Sequence, residues 1–147
     1  MATIKVSNFV AAPVERVFQL FTDIEHGSAH VSDIKRIEML TEGPVRRGTR
    51  WRETRETMGV ADSAAMEITS FERNRTYAIT HHKAGVQIDT TFWFEPVVGG
   101  TNVSIEFELE SGGLPPGLLA PLGWAIERKV TQVLSHDLSD LKHSVEE

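Results

Sequence analysis

The chain has no cysteine among its 147 residues. That excludes disulfide frames, thiol nucleophiles and Cys-ligated zinc or iron–sulfur centres, leaving His, Asp, Glu, Arg and hydroxyls for any chemistry. Cationic clusters are also missing: nothing exceeds Arg46-Arg47, and 15 basic residues stand against 21 acidic ones for a formal charge of −6. Such a surface repels a polyphosphate backbone, so no nucleic-acid partner is expected. No window approaches the roughly 20 apolar residues of a membrane helix, and Met1-Ala2-Thr3-Ile4-Lys5-Val6 lacks the basic start and apolar stretch of a leader. A cytoplasmic chain without membrane insertion is the expectation. Walker loops, dinucleotide glycine fingerprints, HExxH and G-x-S-x-G elbows are absent too, so nucleotide, metalloprotease and serine-hydrolase chemistries lack their marks. No cofactor and no metal is expected.

What is present is an ordinary globular composition, 40% apolar and 24% charged, consistent with a single domain over residues 1–147 that buries a real core. Ile4 and Val6 alternate with Lys5 and Ser7, which reads as a strand from Thr3 to Val10 stopped by Pro13. Val14, Val17, Phe18 and Phe21 then recur at helical spacing. Thr22 and Glu25 form a T-x-x-E pattern, from which a second short helix is expected, opened by a capping box.

From Asp33 to Ser111 there is no long helical period. Six strands are read there: Ile34–Thr41, Gly48–Met58, Ala64–Phe71, Thr76–Ala84, Val86–Pro96 and Asn102–Glu110. Turns at Gly43-Pro44, Gly59, Gly85 and Gly99-Gly100 separate them. Links this short require antiparallel neighbours. Val103, Ile105, Phe107 and Leu109 alternate with Ser104, Glu106, Glu108 and Glu110, so the sheet buries one face only. After Gly112-Gly113 the period changes. Leu119, Leu122, Ile126, Val130, Val133 or Leu134, Leu138 and Leu141 hold one stripe of a long helix, expected from Pro116 to His143.

This element order resembles the START-like, or SRPBCC, superfamily, in its polyketide cyclase/dehydrase and lipid-transport branch. The resemblance covers nearly the whole chain. It is carried by Val10-Ala11-Ala12-Pro13-Val14-Glu15-Arg16-Val17-Phe18, by Gly43-Pro44-Val45-Arg46-Arg47-Gly48-Thr49-Arg50-Trp51, by Phe94-Glu95-Pro96 with Gly99-Gly100-Thr101, and by the closing helix. One departure is the stretch Glu25-His26-Gly27-Ser28-Ala29-His30, which lacks a tryptophan often found nearby in the family. The resemblance implies an α+β helix-grip fold, a curved seven-stranded antiparallel sheet around a long C-terminal helix with two short helices after strand one. It also implies a cavity for apolar or aromatic small molecules. Its members range from carriers to catalysts, so chemistry has to be argued from the site.

On the second middle strand, parity puts Arg50, Arg52, Thr54 and Glu56 on one face, so Trp51, Glu53 and Arg55 turn into the concavity. Two opposite charges entering an apolar space read either as a ligand anchor, Arg55 holding a carbonyl or carboxylate with Glu53 as orienter or acid/base, or as a structural ion pair. Tyr77, Ile79 and His81 share a face opposite to Ala78, Thr80 and His82. His81 is a candidate general base or a hydrogen-bonded wall residue. Met66, Ile68, Ile88, Phe92 and Phe94 are the inward apolar candidates. Leu118, Leu122 and Trp124 follow from the start of the long helix.

His26 and His30 have i, i+4 spacing but no third ligand, and surface histidines are the better reading. Trp93 and Phe71 break the parity of their neighbours, which means a bulge, a convex-face position or a homodimer contact. Gly112-Gly113-Leu114-Pro115-Pro116-Gly117 reads equally as a gating loop or a plain linker. Three functions follow: a carrier of a small hydrophobic or aromatic ligand, a cyclase or dehydratase in which Glu53, Arg55 or His81 moves protons, and an interaction protein using a hydrophobic edge.

Overall fold

The structure, a computed structural model, describes residues 2–57, 59–83, 85–110 and 123–147. Strand β1 (Ala2–Val10) leads into α1 (Val14–Phe21), one 3₁₀ turn (Ile24–His26) and the single-turn α2 (Gly27–His30). The strands β2 (Ile34–Met39), β3 (Arg50–Thr57), β4 (Val60–Glu72), β5 (Thr76–Lys83), β6 (Val86–Val97) and β7 (Gly100–Glu110) follow, and α3 (Gly123–Glu146) closes the chain. All seven strands form one curved antiparallel sheet in the order β1-β7-β6-β5-β4-β3-β2. The α+β helix-grip arrangement read from the sequence is the one observed.

The expected turn and helix signals succeed where burial supports them. Val17, Phe18 and Phe21 of α1 are buried, and Val103 and Ile105 of β7 lie inward while Asn102 stays exposed. The expected capping box does not form. Thr22 is the C-cap of α1, and its hydroxyl donates back to the Phe18 carbonyl at 2.8 Å, which removes it from any role at the start of the next turn. Strand β4 begins at Val60 rather than Ala64, because a tight hairpin pairs Thr57 with Val60 beyond the apolar part of the ladder. Strand β2 stops at Met39, where the Thr41 hydroxyl takes the Arg50 N–H. The expected loop Gly112–Gly117, together with Leu118, Leu119 and Leu122, lies outside the described residues, as do the side chains of Trp124 and Ile126.

The two parity-breakers separate. A register shift between Ile68 and Ser70 turns Phe71 to the concave side, where its ring meets Phe18 edge-on at 5.4 Å. Trp93 stays on the convex face, 42% exposed. At one end of the grip α1 packs on the sheet through an aromatic cluster in which Tyr77 stacks on Phe92 at 4.5 Å and Phe18 meets Phe94 at 5.1 Å. Contacts of this kind add about 0.5–1.5 kcal/mol each beyond area burial. The C-terminal half of α3 completes the core with Leu134, Leu138, Leu141 and Val145. Two polar ties fix its rotation. Asp140 accepts from the Ser32 N–H and hydroxyl at 2.9 and 2.8 Å, and Glu146 accepts from the Ala11 N–H at 2.9 Å.

Candidate functional site

Between the concave sheet and α3 lies a cavity of about 400 Å³, within the roughly 300–1,000 Å³ of small-molecule sites. Trp51, Met66, Tyr77, Ile79 and Phe92 contribute apolar wall, and Glu53, Arg55 and His81 contribute the polar groups. These eight residues, singled out from strand parity, are thus brought together. Cross-strand register explains how: Trp51 pairs with Met66, Tyr77 with Phe92, and Ile79 with Thr90, so alternate positions of four strands stack on one face.

Ile68 and Ile88 are not part of the lining. Ile68 is fully buried beside the Gly48–Thr49 turn, whose backbone it bonds on both sides. Ile88 sits in the ladder opposite His81 and Leu109 and is closed off there. Leu118 and Leu122 lie outside the described residues. The expectation of surface histidines fits His26, whose side chain is 66% exposed, but not His30 at 21%. Gly27 and His30, three residues apart on α2, both turn to the cavity.

The residue missed from sequence is Asp137. It is buried, lines the cavity from α3 and faces Arg55, whose Nη1 lies 3.1 Å from Oδ1 and 2.9 Å from Oδ2. On β3, Arg55 donates from Nε to Glu53 Oε2 at 2.7 Å, and Trp51 Nε1 donates to Glu53 Oε1 at 3.3 Å. Burial and satisfaction therefore coincide, and among the described residues no sealed side-chain nitrogen or oxygen lacks a partner. The signal for Asp137 was in the helix stripe. It falls three after Leu134 and four before Leu141, on the apolar face.

One guanidinium serves two carboxylates, and the protonation energetics follow from that count. Burial pushes Asp137 up to about 6, against the pull of Arg55 and with help from Glu53 and Asp33. Burial opposes the charge on Arg55 as well, but Asp137 and Glu53 outweigh it and hold the guanidinium firmly protonated. His81 is lowered by burial, with Glu53 opposing and Lys83 and Arg55 adding to the effect. Its neutral form dominates at pH 7. Burial raises the Tyr77 hydroxyl well above its usual range, and its one partner among the described residues is the Phe21 carbonyl at 3.4 Å. Asp33, His136 and Asp137 bring ligand-type atoms within 4.8 Å of one another. Both Asp137 oxygens already face the Arg55 guanidinium, and a cation there would have to compete with it. The cluster reads as the outer margin of the ionic network.

At the open end, Lys83 is ion-paired with Asp62, and Lys129 of α3 reaches the cavity rim while staying exposed. No helix among the described residues is long and apolar enough to cross a membrane. The arrangement can enclose an apolar body, present an ionic network to a polar substituent and exchange a proton near neutral pH.

A family model described as polyketide cyclase / dehydrase and lipid transport matches residues 1–146. No curated protein matches the chain. Among solved structures, TTHA0849 from Thermus thermophilus is similar at 18% identity and a TM-score of 0.80, covering 98% of this chain and 97% of that one. A START superfamily protein from Mycobacterium smegmatis is similar at 16% identity and a TM-score of 0.77, with 98% and 97% covered. The di-domain ARO/CYC BexL from the BE-7585A biosynthetic pathway gives 19% identity and a TM-score of 0.77, over 99% of this chain and 47% of that one. At these identities the likeness concerns the fold.

Proposed function

This chain belongs to the polyketide cyclase / dehydrase and lipid transport family, and on that premise we propose that it holds a small, largely apolar molecule between the sheet and α3. The Glu53–Arg55–Asp137 network meets the guest's polar group. The observation that carries this reading is a cavity of about 400 Å³ with a mainly apolar wall and the Glu53–Arg55–Asp137 ionic network set into it. Roughly a dozen waters would fill that volume at about 30 Å³ each. Their release from an apolar wall favours any guest that fits, at about 25 cal/mol per Å² buried.

Native mass spectrometry of protein purified from its own host tests the proposal directly, with the variant Ile79→Trp as control. The expected result is a co-purifying small molecule in the wild type that is lost when the indole fills the cavity. A folded wild type that carries no guest and binds no apolar probe removes the reading.

A second reading, proton-transfer chemistry on a poly-β-keto substrate, is favoured by one further observation. Asp137, with its carboxyl raised to about 6, and a largely neutral His81 line the same cavity, and such groups exchange protons at physiological pH. Conversion of a bound guest by the wild type, with binding but no conversion by Asp137→Asn, would favour it over simple carriage.

A further inference from the structure

We propose that the cavity selects neutral guests bearing a hydroxyl group, a phenol or an enol, and rejects carboxylates, with Asp137 as the residue that sets this preference. The inference rests on the ligand-holding reading above and names its ligand class.

The argument is a count of charges and hydrogen bonds around one wall. Glu53 and Asp137 bring two carboxylates to one guanidinium. Arg55 spends Nε on Glu53 and Nη1 on Asp137, while its Nη2 has no partner among the described residues and is not sealed away. That leaves the two N–H donors of Nη2 uncommitted among the described residues, beside several carboxylate lone pairs, with a net charge of −1 when both acids are ionised. A hydroxyl satisfies both demands, since its oxygen accepts from Nη2 and its proton goes to a carboxylate. A guest carboxylate has no proton to give. It would place a third anion beside a cation already shared by two, in a setting where charges are weakly screened.

The charges at the mouth do not reverse this. Lys83 is neutralised by Asp62, and Lys129 is exposed to solvent, where salt screens it. The groups that face Asp137 are Arg55 and Glu53 from β3, Asp33 from the segment before β2, and His136 beside it on α3. His81 of β5 joins through Glu53. Only Arg55 among them is a fixed cation.

Two probes of one ring system, 2-naphthol and naphthalene-2-carboxylate, test the proposal by calorimetric titration of the full chain at about pH 7.5. There the phenol is neutral (pKa about 10) and the acid ionised (pKa about 4). The expected result is naphthol binding at least tenfold tighter, with the gap shrinking severalfold in Asp137→Asn. The wild type at about pH 5 gives the same narrowing without a substitution, because Asp137 is then mostly protonated. Naphthoate binding as tightly as naphthol at pH 7.5 overturns the selectivity while leaving ligand holding intact. A gap unchanged by both the variant and the acid overturns the role of Asp137. If neither probe binds up to its solubility, the ligand-holding reading fails and this one with it.

Discussion

Replacing Asp137 by Asn should flatten the pH dependence of stability, and the size of the effect follows from the site. In the unfolded chain an aspartate titrates near its ordinary value of 3.8, whereas the folded protein holds Asp137 at about 6. Between those values the native state binds more protons than the unfolded one, so the contribution of this group is most favourable below 3.8 and is lost as pH rises through 6. A gap of roughly two pH units at 1.36 kcal/mol each amounts to about 3 kcal/mol. The side chain is only 12% exposed, so solvent screening reduces this little. Urea unfolding followed by tryptophan fluorescence between pH 4 and 8, for wild type and Asp137→Asn, isolates the effect as a difference of differences. Any fixed packing cost of the amide cancels. Wild type should lose about 2.5 kcal/mol relative to the variant between pH 4 and 8, then run parallel to it above pH 7. A difference that stays constant, or that grows in favour of wild type with rising pH, would refute the reasoning, because it would mean that Arg55 fully compensates both carboxylates.

Arg55→Met should be the most damaging change at the site, costing about 3–5 kcal/mol at neutral pH because Glu53 and Asp137 would remain buried without a cation. Adding Asp137→Asn to Arg55→Met should recover part of that loss, and equilibrium denaturation of the single and double variants checks both statements. Gly100→Ala tests the corner where β7 leaves its turn. A Cβ there would stand 2.2 Å from the Val10 carbonyl oxygen and 2.9 Å from the Phe9 ring, so β1 would have to move. The expected cost is about 2 kcal/mol or more, read as a fall in thermal midpoint, and a variant with the wild-type midpoint would contradict the close approach.

Strand parity carried most of the site because it is a local property. Once the alternation of β3 is read, Trp51, Glu53 and Arg55 have to share a face, and the curved sheet turns that face inward. Tyr77, Ile79 and His81 followed in the same way on β5. Parity was ambiguous only where the ladder slips. Ile68, before the register shift of β4, keeps the inward face and is buried, while Phe71 follows the shift; its broken alternation was visible, but a bulge and a convex-face position read alike until the partner strand is placed. The capping box expected at Thr22 failed. Its hydroxyl donates to the Phe18 carbonyl one turn back, and the residue that precedes the next turn is Asp23.

Asp137 marks the boundary between what local pattern can and cannot deliver. Its place within the stripe of Leu134, Leu138 and Leu141 is visible in the sequence and identifies an anomaly, a carboxylate on an apolar face. Which groups it meets is another matter, since that depends on how α3 is rotated and how far along its axis it docks. Those are fixed by Ser32 on Asp140 and Ala11 on Glu146, contacts that span more than a hundred residues. The two-to-one ratio of carboxylates to guanidinium is therefore a tertiary fact, although Glu53 and Arg55 pair as neighbours on one strand. A one-to-one pair would be a self-contained ionic contact with little left to offer a guest. The second carboxylate makes the wall an acceptor with a proton near its balance point. Both the pH slope predicted for Asp137→Asn and the preference for hydroxyl-bearing guests follow from that excess.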